Sequence, residues 1–249
     1  MIATDPPPLP WESLTAQDSV FAPVRSQTAF EETVERLGTA IKLGLLPAGT
    51  RLPAERDLCE KLGIARSTLR QALVALGQSG HLRAVRGRGG GTFVADPQPP
   101  AEPPSAAVLA AWHEICDKRM ALEIGVAVLA AARATPAMIG QLEEFVTAID
   151  GLAHDFGAYR QVDVRLHVGL AEATGSQRLV SAVTEVQGEM TGLIALIAHP
   201  PEVLASSNAQ HRRLLGALRD HDEARAAREM SEHVGATTHI LGGLLPPGS

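Results

Sequence analysis

Aromatic side chains make up only 3% of the 249 residues, while alanine and leucine are abundant. That balance favours helix over strand. Cysteine is nearly absent, and Cys59 and Cys116 stand far apart in two expected helices. They read as reduced, buried thiols of a cytoplasmic protein. No apolar run approaches the length of a membrane span; LIALIA at 193–198 is far too short. The opening MIATDPPPLPWE has neither a basic n-region nor an apolar h-region. A secretory signal is therefore not expected. The helical zinc-enzyme signature HExxH does not occur either.

What is present is globular. Hydrophobic residues are 45% and charged residues 20%, and the length suits two modest domains, each with its own core. The formal charge of −6 is unevenly spread. Residues 25–96 carry 11 Lys/Arg against 7 Asp/Glu, and residues 97–249 carry 11 against 18. Phosphates are thus expected to meet the first half of the chain only.

Residues 1–26 are Pro-rich and aperiodic, the pattern of a mobile arm. Phe30, Val34, Leu37, Ile41 and Leu45 then recur at helical steps, ending near Gly44 and Pro47. A second helix follows Pro53 and runs through Leu58 and Leu62 to Gly63; a third spans about Arg66 to Gln78. Short strands at His81–Val85 and Thr92–Val94 flank RGRGGG. Together, residues 27–95 read as a winged helix-turn-helix, a module that puts one helix into the major groove of double-stranded DNA. Arg66 and Arg70 share one face of the third helix, with Ser67 and Thr68 beside them, and Arg56 lies on the second. Such arginines can bond guanine edges or hold phosphates. The glycines around Arg86, Gly87 and Arg88 allow close approach to a backbone or minor groove.

A Pro-rich linker over residues 96–105 precedes a stretch from 106 to 245 with no strand signal of weight. Roughly six helices are expected there, at 106–134, 136–153, 156–174, 176–198, 201–220 and 222–243, a bundle able to enclose a pocket. The expected fold is mainly α: an N-terminal winged helix-turn-helix with a two-stranded β wing, then a C-terminal all-α bundle. Asp163 and His167 stand at i and i+4 in DVRLH, so both reach one point. His211 and His233 follow on later helices. Three imidazoles and a carboxylate suit Zn²⁺ or Ni²⁺, with Mn²⁺ or Fe²⁺ less favoured. On spacing alone, Arg119 and Glu123 read as an i,i+4 surface ion pair.

The run LPAERDLCEKLG…ARSTLRQAL…RGRGGGTFV resembles the GntR family of bacterial transcription regulators, over nearly all of residues 28–95. The resemblance implies DNA contacts from Arg56, Arg66, Ser67, Thr68, Arg70, Arg86 and Gly87. One departure is Ala65, where a hydroxyl residue often caps the recognition helix; losing such a cap costs about 1 kcal/mol. The C-terminal half is similar to the all-helical FCD effector domain of the FadR subfamily. That similarity implies a metal site from Asp163, His167, His211 and His233, and an inward-pointing Arg119 that meets the carboxylate of a small organic acid. The implied protein is a homodimeric, ligand-responsive regulator, more commonly a repressor, bound to a DNA operator and not to a membrane. The alternatives are a metal-dependent enzyme built on the same Asp/His set and a purely structural metal.

Overall fold

A computed structural model describes residues 28–99, 103–196 and 199–245. The expected N-terminal arm lies outside those residues, as do the middle of the linker and the end of the LIALIA run.

Helix α1, Ala29–Lys42, starts with a capping box: Thr28 accepts from the Glu31 backbone and Glu31 reaches back. Helix α2, Glu55–Leu62, stops at Gly63, whose φ of 66° ends it in the left-handed conformation. Helix α3, Arg66–Gln78, begins on Ala65 with no side-chain cap. An Ala65→Ser protein is expected to gain about 0.5–1 kcal/mol, seen in thermal unfolding as a rise of a few degrees, roughly 2–6 °C. An unchanged or lower midpoint would mean that the helix does not start there.

Strands β1 (Leu82–Val85) and β2 (Gly91–Val94) pair antiparallel with Leu82 opposite Val94. The ladder starts one residue later on the first strand, and one earlier on the second, than the sequence pattern suggested. Thr50–Leu52 runs along the free edge of β2: Leu52 N donates to Thr92 O at 2.8 Å and Val94 N to Thr50 O at 2.8 Å. At the tip, a Cβ on Gly90 would sit 2.4 Å from the Val85 carbonyl oxygen, so this turn admits only glycine. Leu37, Ile41, Leu52, Leu58, Leu69, Leu76, Leu82 and Val94 form the core beneath. All three helices and the wing therefore move as one head.

The second half is helical throughout its described residues. Helices α4 (Ala106–Ala110) and α5 (Trp112–Arg133) replace the single helix expected over 106–134. The bend at Ala111 turns Trp112 inward against Val186, Met190, Leu193 and Leu241. Then come α6 (Pro136–Asp150), α7 (Phe156–Ala173), α8 (Gln177–Ile194), α9 (Pro201–Arg219) and α10 (Glu223–Leu244). Thr135, Asp155, Ser176 and Asp222 cap four of these helices with their side chains. Helix α5 is the axis of the bundle, packed against α7, α8, α9 and α10. Among the described residues, no helix is long and apolar enough to cross a membrane.

Candidate functional sites

The head exposes the basic residues expected to meet DNA. Leu69, Ala72 and Leu76 anchor α3 in the core, which turns Arg66, Ser67 and Arg70 out to solvent, with Thr68 half-buried. Arg56 on α2 is exposed as well, and so are Arg86 and Gly87 at the wing tip. Two residues that the sequence pattern did not single out shape this surface. Glu55 accepts from Arg70 Nε at 2.8 Å, and the Arg70 side chain stays largely exposed. Arg51 donates from Nη2 to the Gly90 carbonyl at 2.7 Å, tying the wing tip to the Thr50–Leu52 edge.

The bundle holds the second site. Asp163 and His167 come from α7, His211 from α9 and His233 from α10, and all four are buried. One ligand atom from each lies within 4.8 Å of the others. His233 Nε2 is 3.3 Å from both His211 Nε2 and His167 Nε2. Asp163 Oδ1 is 3.5 Å from His211 Nε2 and 3.9 Å from His167 Nε2.

The outward nitrogen of each ring explains this convergence. His211 Nδ1 faces Asn208 Oδ1 at 3.4 Å. That amide's orientation is fixed, because its Nδ2 donates to the Val146 carbonyl at 2.9 Å. His233 Nδ1 faces Gln210 Oε1 at 3.1 Å, and His167 Nδ1 lies 2.8 Å from Glu123 Oε2. The His211 and His233 Nδ1 atoms thus each meet an amide oxygen, which places the ring proton there and turns their Nε2 lone pairs inward, while His167 Nδ1 lies beside Glu123 Oε2 without forming a hydrogen bond. Converging lone pairs and a carboxylate repel one another unless a cation sits among them. Their spacing also suits one: ligand nitrogens about 2.0–2.1 Å from zinc at tetrahedral angles stand about 3.3 Å apart. The residues present fit a divalent cation.

Electrostatics agree with the geometry. Burial holds the His211 imidazole down to about 4 and His233 well below the usual range, so both are neutral ligands near pH 7. Burial alone would raise the Asp163 carboxyl, but His167 and Arg160 outweigh it and keep it ionised. The same contest at Glu123, with His167 and Arg119 on the winning side, holds its carboxyl at about 2. Arg160 donates to Asp163 Oδ2 at 2.6 Å and to Gln187 Oε1 at 2.6 Å, which steadies the carboxylate that faces the histidines. Arg119 and Glu123, which read as a surface pair from spacing, are both buried, with Arg119 Nε 3.4 Å from Glu123 Oε1.

A cavity of about 200 Å³ opens beside the cluster. Arg119, Arg160, Asp163 and His233 line its polar side, and Phe156 and Ile240 belong to its apolar wall. His199, to which the sequence pattern assigned no role, also lines it and stacks on Phe156 at 3.5 Å. Among the described residues, Arg119 Nη1, Arg160 Nε, His167 Nδ1 and Glu123 Oε2 are buried polar atoms without a hydrogen-bond partner.

Profiles of two protein families match the chain: "Bacterial regulatory proteins, gntR family" over residues 30–94 and "FCD domain" over residues 114–236. The putative HTH-type transcriptional regulator RmpR of Mycobacterium gastri is 32% identical over 216 residues, covering 81% of this chain and 76% of RmpR. The chain belongs to the GntR family of bacterial transcription regulators. This GntR regulator is also 30% identical over 221 residues to the putative L-lactate dehydrogenase operon regulatory protein of Escherichia coli K12, covering 82% and 83% of the two chains. The solved structure of E. coli McbR/YncC shares its fold, with a TM-score of 0.56, 19% identity, and coverage of 88% and 99%. GntR membership with an FCD domain makes the head a DNA-binding module and the bundle an effector-binding domain. It also removes the metal-enzyme alternative, since both matched families are those of regulators.

Proposed function

We propose that this GntR regulator is a cytoplasmic homodimer that represses its operator until a small organic acid enters the bundle beside a bound Zn²⁺ or Ni²⁺. The proposed units are an arm at 1–26, the DNA-binding head at 27–95, a linker at 96–105 and the effector domain at 106–245. The observation that carries the reading is Arg119 Nη1, a charged nitrogen buried without a partner at the wall of a cavity that also exposes Asp163 and His233.

Arg119 is paired with Glu123 through Nε, but leaving a second buried donor of a charged group unsatisfied is costly, so a ligand that completes it is the best explanation. Charge balance points to an anion. Arg119 and Arg160 offset Glu123 and Asp163, and the His211 and His233 imidazoles are neutral, so a dication held by Asp163, His167, His211 and His233 leaves excess positive charge. A carboxylate on Arg119 offsets it through a charge-assisted hydrogen bond. When bound, the cation supplies a Lewis-acidic anchor for a second ligand oxygen. Arg119 orients the carboxylate, Arg160 holds Asp163, and the Phe156 wall excludes water. The cavity volume restricts the ligand to a small acid. L-Lactate, which figures in the name of the E. coli relative, is the first to test. In the head, Arg56, Arg66, Ser67, Thr68, Arg70, Arg86 and Gly87 are the proposed DNA contacts, doubled by two-fold pairing.

Thermal-shift titration with L-lactate and other small hydroxy acids, with and without a chelator, tests the sensor. Arg119→Ala is expected to keep its metal content and DNA binding but to bind the acid about ten- to hundredfold more weakly, the worth of a hydrogen bond to a charged group. If no acid shifts the wild-type midpoint in either condition, the metal is structural and the sensor reading fails.

A further inference from the structure

The head does not only hang from its covalent linker. The turn after α1 enters the bundle. Leu43 is buried in the bundle's core cluster, with Leu45 packed against it, while Ile41 and Leu46 belong to the head's own core. Four consecutive residues, Leu43 to Leu46, thus span both cores. Two further contacts flank them. Gly44, at φ 69°, offers its carbonyl to Arg165 Nη2 at 2.6 Å, and a Cβ there would meet the Gln161 side chain at 3.2 Å. Thr39 lies so close to α8 that a Cβ on Gly188 would sit 2.8 Å from its methyl.

Both contacts lie on helices that carry the polar cluster. On α7, Gln161 and Arg165 stand one turn apart and touch the head, while Asp163 and His167, also one turn apart, face the cluster. On α8, Gly188 follows Gln187, whose oxygens accept from Arg160 and whose Nε2 donates to Glu123. Glu123 in turn faces His167 Nδ1. Gln161, Arg165 and Gly188 each stand within two positions of a cluster residue or of one that holds it. At its other side, α1 carries α3 directly, with Leu76 packed 3.6 Å from the Cβ position of Gly38.

We infer that the Leu43–Leu46 turn is a latch between the two halves of this chain, and that filling the Asp163/His cluster tightens it and fixes the placement of α3. The inference rests on the reading of the cluster as a cation site. Drawing Asp163 and His167 onto one centre fixes the rotation of α7, and fixing Glu123 fixes α8 through Gln187. The latch contacts sit on other faces of the same two helices, so the head loses freedom with them. By linkage, a tighter latch must also tighten cation binding by the same factor.

The test is hydrogen–deuterium exchange on the full chain, stripped with chelator and then titrated with Zn²⁺. In wild type, Zn²⁺ is expected to slow exchange in α7, α9 and α10, and also in residues 39–46 and α3, by about five- to tenfold, the low end of ordinary coupling. Arg165→Ala, and Gly188→Leu as an independent wedge under Thr39, should keep the protection of the bundle but forfeit it in the head. Arg165→Ala should also weaken Zn²⁺ binding by the same factor by which protection of the head falls. Protection of the head that survives both substitutions overturns the latch. So does a wild-type bundle that responds while residues 39–46 do not. A wild-type bundle that shows no response to Zn²⁺ overturns the cation reading itself, and the latch trigger with it.

Discussion

A His167→Ala protein is expected to leave zinc dialysis with its metal affinity reduced by about two to three orders of magnitude. Structural zinc sites contribute about 10–16 kcal/mol, so one of four ligands carries roughly 3 kcal/mol. His167 is the most consequential of the four, because its ring also faces Glu123, buried between Arg119 and Gln187. Losing the ring removes a ligand and also leaves the Glu123 oxygen without its neighbour. The loss should appear in chelator competition and in metal content by mass. The stripped protein should still fold as a helical bundle in circular dichroism, since Leu166, Leu170, Leu214 and Leu215 stay buried around it. Wild-type affinity in the variant would show that the cluster is not the metal site. Asn208→Ala is the milder companion. It frees the His211 ring without deleting it, and a ten- to hundredfold loss is the usual size for such an outer partner.

Arg66→Ala should weaken operator binding by about 1–3 kcal/mol, roughly ten- to hundredfold, while flattening base preference at one position of each half-site. Arg86→Ala at the wing should behave differently. Removing a guanidinium that holds a phosphate weakens all sequences alike and lowers the salt slope by about one. Arg66 stands at the first position of α3, exposed and backed by the buried Leu69, where a side chain enters the groove most easily. Competition binding against a randomised duplex pool separates the two behaviours. An Arg66→Ala protein that binds its operator as tightly as wild type, with its preferences intact, would remove α3 as the reading helix.

Much of the head is legible in the sequence. The ordered set of α2, α3 and the glycine-rich wing carries its own spacing, because helix ends, turn glycines and apolar steps are local properties. Asp163 and His167 are legible for the same reason: one turn of helix aligns them. The outer ring of the cluster is not. Arg119 and Glu123 have the spacing of a solvent-facing pair, and only the family resemblance, not the local sequence, points Arg119 inward. They are buried because α5 is the bundle's axis, enclosed by α7, α8, α9 and α10, and that is a tertiary fact. Gln187, Asn208 and Gln210 are ordinary helix-surface residue types, and the pairing of Gln187 with Glu123 spans 64 positions. The break at Ala111 is equally hidden: no proline or glycine marks it, and the partners of Trp112 lie on α8 and α10. The latch escapes sequence reading because Leu43 and Leu45 look like the tail of an amphipathic helix, and no sequence pattern tells which of two cores a leucine will enter.

The depth of the cluster has a consequence for timing. Asp163 and the three histidines are buried among α7, α9 and α10, so an ion held by all four could leave, even by way of the cavity, only as several ligands let go together, an event on the slow side of the protein's repertoire. A small acid in the proposed site, held by fewer groups at the cavity mouth, would come and go far sooner. Two clocks would therefore run in one molecule: a quick one that follows the cell's metabolism, and a slow one that keeps a memory of the metal supply under which the protein was made.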